Sequence, residues 1–171
     1  VYRYDFGSAG SAVMEGFQRV TEADLYSGDK GFGWEATEGL KAVVKVHDAP
    51  IENVGRGSMD PPPIYTTALT EDCIIGDRPA TFRVDVPAGD YSVFALCGTS
   101  ENMRYQYFDF TLSTGDGEAR VCFEGGYQFR TTRLRVTGRD GAASIALTPR
   151  SKWALAALVL WDVAGEGELA A

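Results

Sequence analysis

"TFRVDVPAGDYSVFALCG", residues 81–98, decides the fold. Phe82, Val84 and Val86 fall on one side of a two-residue period and Arg83 and Asp85 on the other, as in a half-buried strand. "PAGD" (Pro87 to Asp90) supplies turn chemistry, after which Tyr91, Val93 and Ala95 resume the alternation. The stretch predicts a hairpin with one buried face. A second hairpin is predicted in "TTRLRVTGRDGAASIALTP", where Leu134 and Val136 alternate with Arg133 and Arg135, "GRDG" turns, and Ile145 and Leu147 continue inward. A third is predicted in "YFDFTLSTGDGEARVCFEGG", with its turn at Thr114 to Gly117. Short strands separated by Gly-rich turns predict an all-β, antiparallel β-sandwich of the jelly-roll kind.

Helix signals are few. "TEADLYS" predicts one turn, with Thr21 as N-cap and Asp24 at the third helical position. The closing run "WALAALVLWDV" (Trp153 to Val163) combines helix-favouring Ala and Leu with apolar character on both faces, and its place after so many strands favours a buried strand. The rhythm breaks between His47 and Asp72, where Pro61 to Pro63 remove backbone donors and stiffen the chain. Residues 47–72 are expected to form a long Pro-rich loop, with Tyr65 beside the prolines as a candidate contact.

A chain of 171 residues suits one domain, expected to span 1–171. The formal net charge of −8 argues against nucleic acid and anionic membranes as partners. No apolar run approaches the roughly 20 residues of a membrane span. The chain opens on Val1 without the features of a leader, so either a leader has been removed or this is one module of something longer. Cys73, Cys97 and Cys122 leave at least one thiol unpaired, and both a Cys97–Cys122 bridge and three free thiols stay open.

"YDFGSAGSAVMEGFQRVTEADLYSGDKGFGW" (residues 4–34) resembles the opening of galactose-binding-like jelly-roll domains, the carbohydrate-binding-module type appended to bacterial agarases, pectin acetylesterases and polysaccharide lyases. The positions that carry the resemblance are Asp5, Phe6 and Gly7; Gly16, Phe17 and Val20; and Tyr26, Gly31, Phe32, Gly33 and Trp34. It continues through residues 81–98 and the closing Trp153, Leu155, Ala157, Leu158 and Leu160. The resemblance implies a non-catalytic module that targets a partner enzyme to a polysaccharide, located outside a bacterial cell or in its periplasm. The Pro-rich loop and the aromatic stretch after Gly98 depart from the family pattern.

The glycines of "GFGW" permit close backbone approach, so Phe32 and Trp34 are expected to pack inward rather than to stack on a ligand. A sugar presents C–H faces beside hydroxyls and needs flat aromatics flanked by polar groups. "ENMRYQYF" offers Arg104, Tyr105 and Tyr107 with Glu101, Asn102 and Gln106, although a strand burying Tyr105 and Tyr107 fits equally. "GGYQFRTTR" offers Tyr127, Gln128 and Arg130, and "RSKWA" offers Trp153, for which core and contact are both open. If Arg104 or Arg130 faces a ligand, a uronate carboxylate suits the guanidinium fork.

Related jelly-roll domains often carry a structural calcium near the chain termini, and the resemblance implies Asp5, Glu15 and Asp162 as its ligands, with Asp24 and Asp29 as further carboxylates. Catalysis is not expected: His47 has no second histidine for zinc, and there is no G-x-S-x-G elbow. Three functions remain in view. They are a sugar-binding module, a structural spacer packed against a catalytic domain, and a small polysaccharide lyase or esterase.

Overall fold

Alternating β-branched and aromatic residues, punctuated by turn residues, form strands. The computed structural model describes residues 1–44, 67–99, 106–124 and 128–164. Along the described chain run β1 (Tyr2–Phe6), β2 (Gln18–Val20), β3 (Phe32–Trp34), β4 (Lys41–Val44), β5 (Asp72–Gly76), β6 (Ala80–Asp85) and β7 (Gly89–Thr99). They are followed by β8 (Tyr107–Ser113), β9 (Glu118–Glu124), β10 (Gln128–Gly138), β11 (Ala142–Pro149), β12 (Trp153–Leu155) and β13 (Ala157–Asp162). Among the described residues there is no α-helix.

Two five-stranded sheets form the layers of a β-sandwich, in the orders β10-β7-β13-β1-β2 and β3-β6-β11-β8-β9, and a smaller sheet, β12-β5-β4, joins them. The ladders are antiparallel except β1 with β2, which pair in parallel. Tyr4 and Phe6 from the first sheet meet Phe82 from the second, with ring centroids 5.2 Å and 5.0 Å apart. Trp34 closes the same cluster against Phe6, Phe82 and Trp153.

The third predicted hairpin is present: β8 and β9 pair from Tyr107↔Glu124 to Ser113↔Glu118, and the Thr114 N–H donates to the Gly117 carbonyl across the turn. The first two are corrected. β6 pairs with β3 and β11, whereas β7 pairs with β10 and β13, so "PAGD" carries the chain from one layer to the other. Val86 is buried in that connection and Pro87 cannot donate to a ladder, while Tyr91 returns its hydroxyl to the Pro87 carbonyl. "GRDG" likewise links β10 in one sheet to β11 in the other, with a single bridge between Arg139 and Ala142. Alternation identifies the face a strand buries; it is silent on which neighbour the strand chooses.

The closing run is two strands, β12 and β13, broken at Ala156, and the strand reading holds. "TEADLYS" makes turns and isolated bridges rather than helix. Thr21 and Asp24 still form the expected polar pair, because the Asp24 carboxylate accepts both the N–H and the hydroxyl of Thr21. The Pro-rich loop lies mostly outside the described residues, and its last predicted residue, Asp72, begins β5.

Phe32 and Trp34 pack inward as expected. Trp34 is fully buried and its indole N–H donates to the Thr21 carbonyl at 3.0 Å. Gly33, at φ 147°, leaves no room for a side chain, since an added Cβ would lie 2.6 Å from Tyr26 Cα. The Cys97–Cys122 bridge is not formed: both are free thiols, and Cys73 is buried in β5. Cys97 points into the core, where burial pushes its thiol up to about 12, while Cys122 is exposed on β9.

Candidate functional site

The sequence-predicted contacts divide by strand parity. Trp153 is corrected from candidate contact to core: it is fully buried, its ring lies 5.7 Å from that of Trp34, and its indole N–H donates to the Arg78 carbonyl at 2.8 Å. Gly76, its partner across β5, makes the room, because a Cβ there would stand 2.5 Å from the indole. Tyr107 opens β8 on the outer face of the second sheet, 49% exposed, whereas its neighbour Phe108 is buried against Phe123. The Cys122 thiol beside the Tyr107 hydroxyl is the main influence holding the phenol above its ordinary range. Arg130 is exposed near the start of β10, where its guanidinium donates to the Phe129 carbonyl and to Gln128 Oε1. Tyr65, Arg104, Tyr105 and Tyr127, with Glu101, Asn102 and His47, lie outside the described residues.

Connectivity gathers several of these positions. β7 ends at Thr99 opposite Gln128, and β8 begins at Tyr107 opposite Glu124. Only residues 125–127 separate Glu124 from Gln128, so the starts of β8 and β10 belong to one end of the sandwich. Gln106 is held there by Lys152, whose ammonium donates to Gln106 Oε1 at 2.9 Å.

The three carboxylates expected to hold calcium do not converge. Asp5 pairs with Ala157 at the start of β13, whereas Asp162 ends that strand, about 16 Å away at the strand rise per residue. Glu15 is exposed, and Asp162 accepts the Ala164 N–H. No group of three or more metal-ligating side chains occurs among the described residues. Asp5, Glu15 and Asp162 therefore do not share one site.

Asp5 instead fastens a loop. It accepts the Met14 N–H at 2.8 Å, Glu71 accepts the Ala12 N–H at 2.9 Å, and Asp72 accepts the Ser8 N–H at 2.8 Å and the Ser11 hydroxyl. Arg19 completes the arrangement by donating to the carbonyls of Ala9 and Ser11. Burial raises the Asp5 carboxyl to about 6, against the pull of the Met14 N–H, and nearby Asp72 and Glu71 add to the rise. Asp72 is raised as well, chiefly by burial.

A surface that the sequence reading did not single out lies on the outer face of the first sheet. Tyr91, Val93, Ala95 and Cys97 of β7 point inward, so Phe94 and Leu96 point outward, and both are only half-buried. β13 repeats the arrangement, with Leu158 and Leu160 inward and half-buried Val159 and Trp161 outward. In register, Arg133 of β10, Phe94 of β7, Val159 of β13 and Arg3 of β1 form one row across four strands. The next row holds Arg135, Ser92 and Trp161. Arg133 reaches across β7 to place its guanidinium carbon 5.3 Å from the centre of the Trp161 ring. Ser92, although outward by parity, is fully covered. The sequence signal was present: β7 and β13 are apolar at both parities, and outward apolar residues need something to meet.

No protein-family model matches the chain, and no curated protein matches it. Solved structures share its fold. Protein YxiM from Bacillus subtilis superposes over 95% of the chain with a TM-score of 0.60 and 21% identity. A plant receptor-like kinase, FER, does so over 95% with a TM-score of 0.56 and 12% identity. Beta-glucuronidase 2 from Bacteroides uniformis, bound covalently to a cyclophellitol-6-carboxylate aziridine, does so over 95% with a TM-score of 0.57 and 14% identity. The chain spans 40%, 42% and 18% of those proteins, respectively. At such identities the likeness shows the fold: a β-sandwich that occurs within larger proteins, a carbohydrate-active enzyme among them.

Proposed function

We propose that the chain is a non-catalytic, galactose-binding-like carbohydrate-binding module that holds a partner enzyme near a polysaccharide. The observation that carries this reading is the outer face of the first sheet, where Phe94, Leu96, Val159 and Trp161 remain half-exposed beside arginines. Apolar rings accept the C–H face of a pyranose, and polar groups at their margin accept or donate to its hydroxyls. Fold likeness to part of a glucuronidase supports the reading. Tyr107 and Arg130, at the sandwich end, are the alternative contact region. The strip is favoured because it places aromatic and guanidinium groups side by side.

A spacer reading competes, since the same four apolar residues would also bury well against a neighbouring domain. The two separate in a pull-down of the purified chain on a panel of insoluble and soluble polysaccharides. Retention by at least one polymer class supports the module, and retention by none establishes the spacer. Turnover of any polymer by the purified chain would instead favour a small lyase or esterase.

A further inference from the structure

We infer that the outer face of the first sheet is a binding face for a uronate-bearing polysaccharide, with Arg3 and Arg133 reading carboxylates on either side of the apolar strip. This inference rests on the carbohydrate-binding reading and names the substrate class and the residues.

Charge is the first ground. The chain carries a net charge of −8, yet this face presents Arg3, Arg133 and Arg135, all exposed. Asp5 belongs to the same parity but is buried beneath the loop it fastens. Asp90, at the far end of the face, accepts the Thr137 hydroxyl at 3.0 Å. A cationic face on an anionic protein attracts an anionic partner.

Geometry is the second ground. Arg3 and Arg133 close the two ends of one cross-strand row, with Phe94 and Val159 between them. Three strand spacings separate their Cα atoms by about 14 Å. An extended chain lying across the strands would rest sugar faces on Phe94, Val159 and Trp161 and present acidic groups to both ends. Arg133 is already held over the Trp161 ring. That contact fixes the direction of the side chain, so its N–H donors are ordered in advance for a carboxylate. A neutral glycan would gain hydroxyl hydrogen bonds from the guanidinium groups at both ends of the row but no charge pairing.

The test measures binding of the whole chain to polygalacturonate, to a neutral galactan and to a sulfated galactan by affinity electrophoresis and calorimetry, at low and high sodium chloride. Wild type is compared with Arg3→Ala/Arg133→Ala, with Arg133→Lys, and with Arg139→Ala, a change in the β10–β11 turn. Thermal unfolding of each variant establishes that it is folded.

The expected result is preferential binding to polygalacturonate, weakened at least tenfold in the double variant. Arg133→Lys should be intermediate because it keeps charge and loses the fork, Arg139→Ala should be unchanged, and binding should fall as salt rises. Polygalacturonate binding that the double variant leaves intact overturns the proposed face while the carbohydrate reading stands. Binding only to the neutral or the sulfated polymer overturns the uronate assignment and keeps the module. Binding to none of the three overturns the uronate assignment, and the wider polysaccharide panel then decides the module.

Discussion

The Asp72 carboxylate occupies the space in which a side chain at residue 7 would stand: a Cβ added to Gly7 would lie 1.7 Å from Asp72 Oδ2. The triplet Asp5-Phe6-Gly7 thus has three separate physical jobs. Asp5 fastens the loop through Met14, Phe6 fills the core against Trp34 and Phe82, and Gly7 leaves room for a buried acid from β5.

Gly7→Ala must therefore expel Asp72 and break its bonds to Ser8 and Ser11. Displacing a buried, hydrogen-bonded carboxyl costs about 2 kcal/mol or more. In a domain of this size that is a loss of about 4–8 °C in Tm. Differential scanning calorimetry checks it, and an unchanged Tm would show that the loop repacks at no cost.

Asp5 makes a pH-dependent contribution whose sign is fixed by its surroundings. Its folded carboxyl stands at about 6, above its ordinary value of 3.8, so the folded protein holds the proton more tightly than the unfolded chain. Folding then gains as pH falls from about 6 towards 4, and the gain is complete below the unfolded value. Asp5→Asn removes this dependence. Urea unfolding of both proteins at several pH values should show the wild type gaining on the variant as pH falls through that window; a difference that is flat with pH would mean that Asp5 titrates normally.

Two aromatic substitutions separate core from surface. Trp153→Ala should cost about 3–5 kcal/mol, because a fully buried indole leaves a cavity and the Arg78 carbonyl loses its donor. Tyr107→Ala should cost less than about 1 kcal/mol, since half of the side chain already faces solvent. Denaturant midpoints measure both, and equal losses would contradict the assignment of Tyr107 to the outer face.

The strands were legible because each carries its own period: Phe82, Val84, Leu134 and Ile145 declare a buried face without outside help. Their distribution between sheets was not, because the backbone pairs of β6 and β7 are made with strands far along the chain. A short turn such as "PAGD" suits a sheet-to-sheet connection as readily as a hairpin. Inward packing of Trp34 was legible from its flanking glycines. The Arg133–Trp161 contact was not, since it joins residues 28 positions apart across an intervening strand. Carboxylates near the two ends of the sequence suggested one ion site, yet β1 and β13 run antiparallel and carry Asp5 and Asp162 to opposite ends of their ladder.

The most direct test of the central claim, that the Trp161 strip binds polysaccharide, is calorimetric titration of wild type, Trp161→Ala and Tyr107→Ala with the polymer retained in the pull-down, each variant first shown to be folded. Trp161→Ala should lose at least tenfold in affinity, in keeping with about 1–3 kcal/mol for one stacking aromatic, and Tyr107→Ala should change it less than threefold. The reverse order would move the site to the end of the sandwich and contradict the face proposed for it.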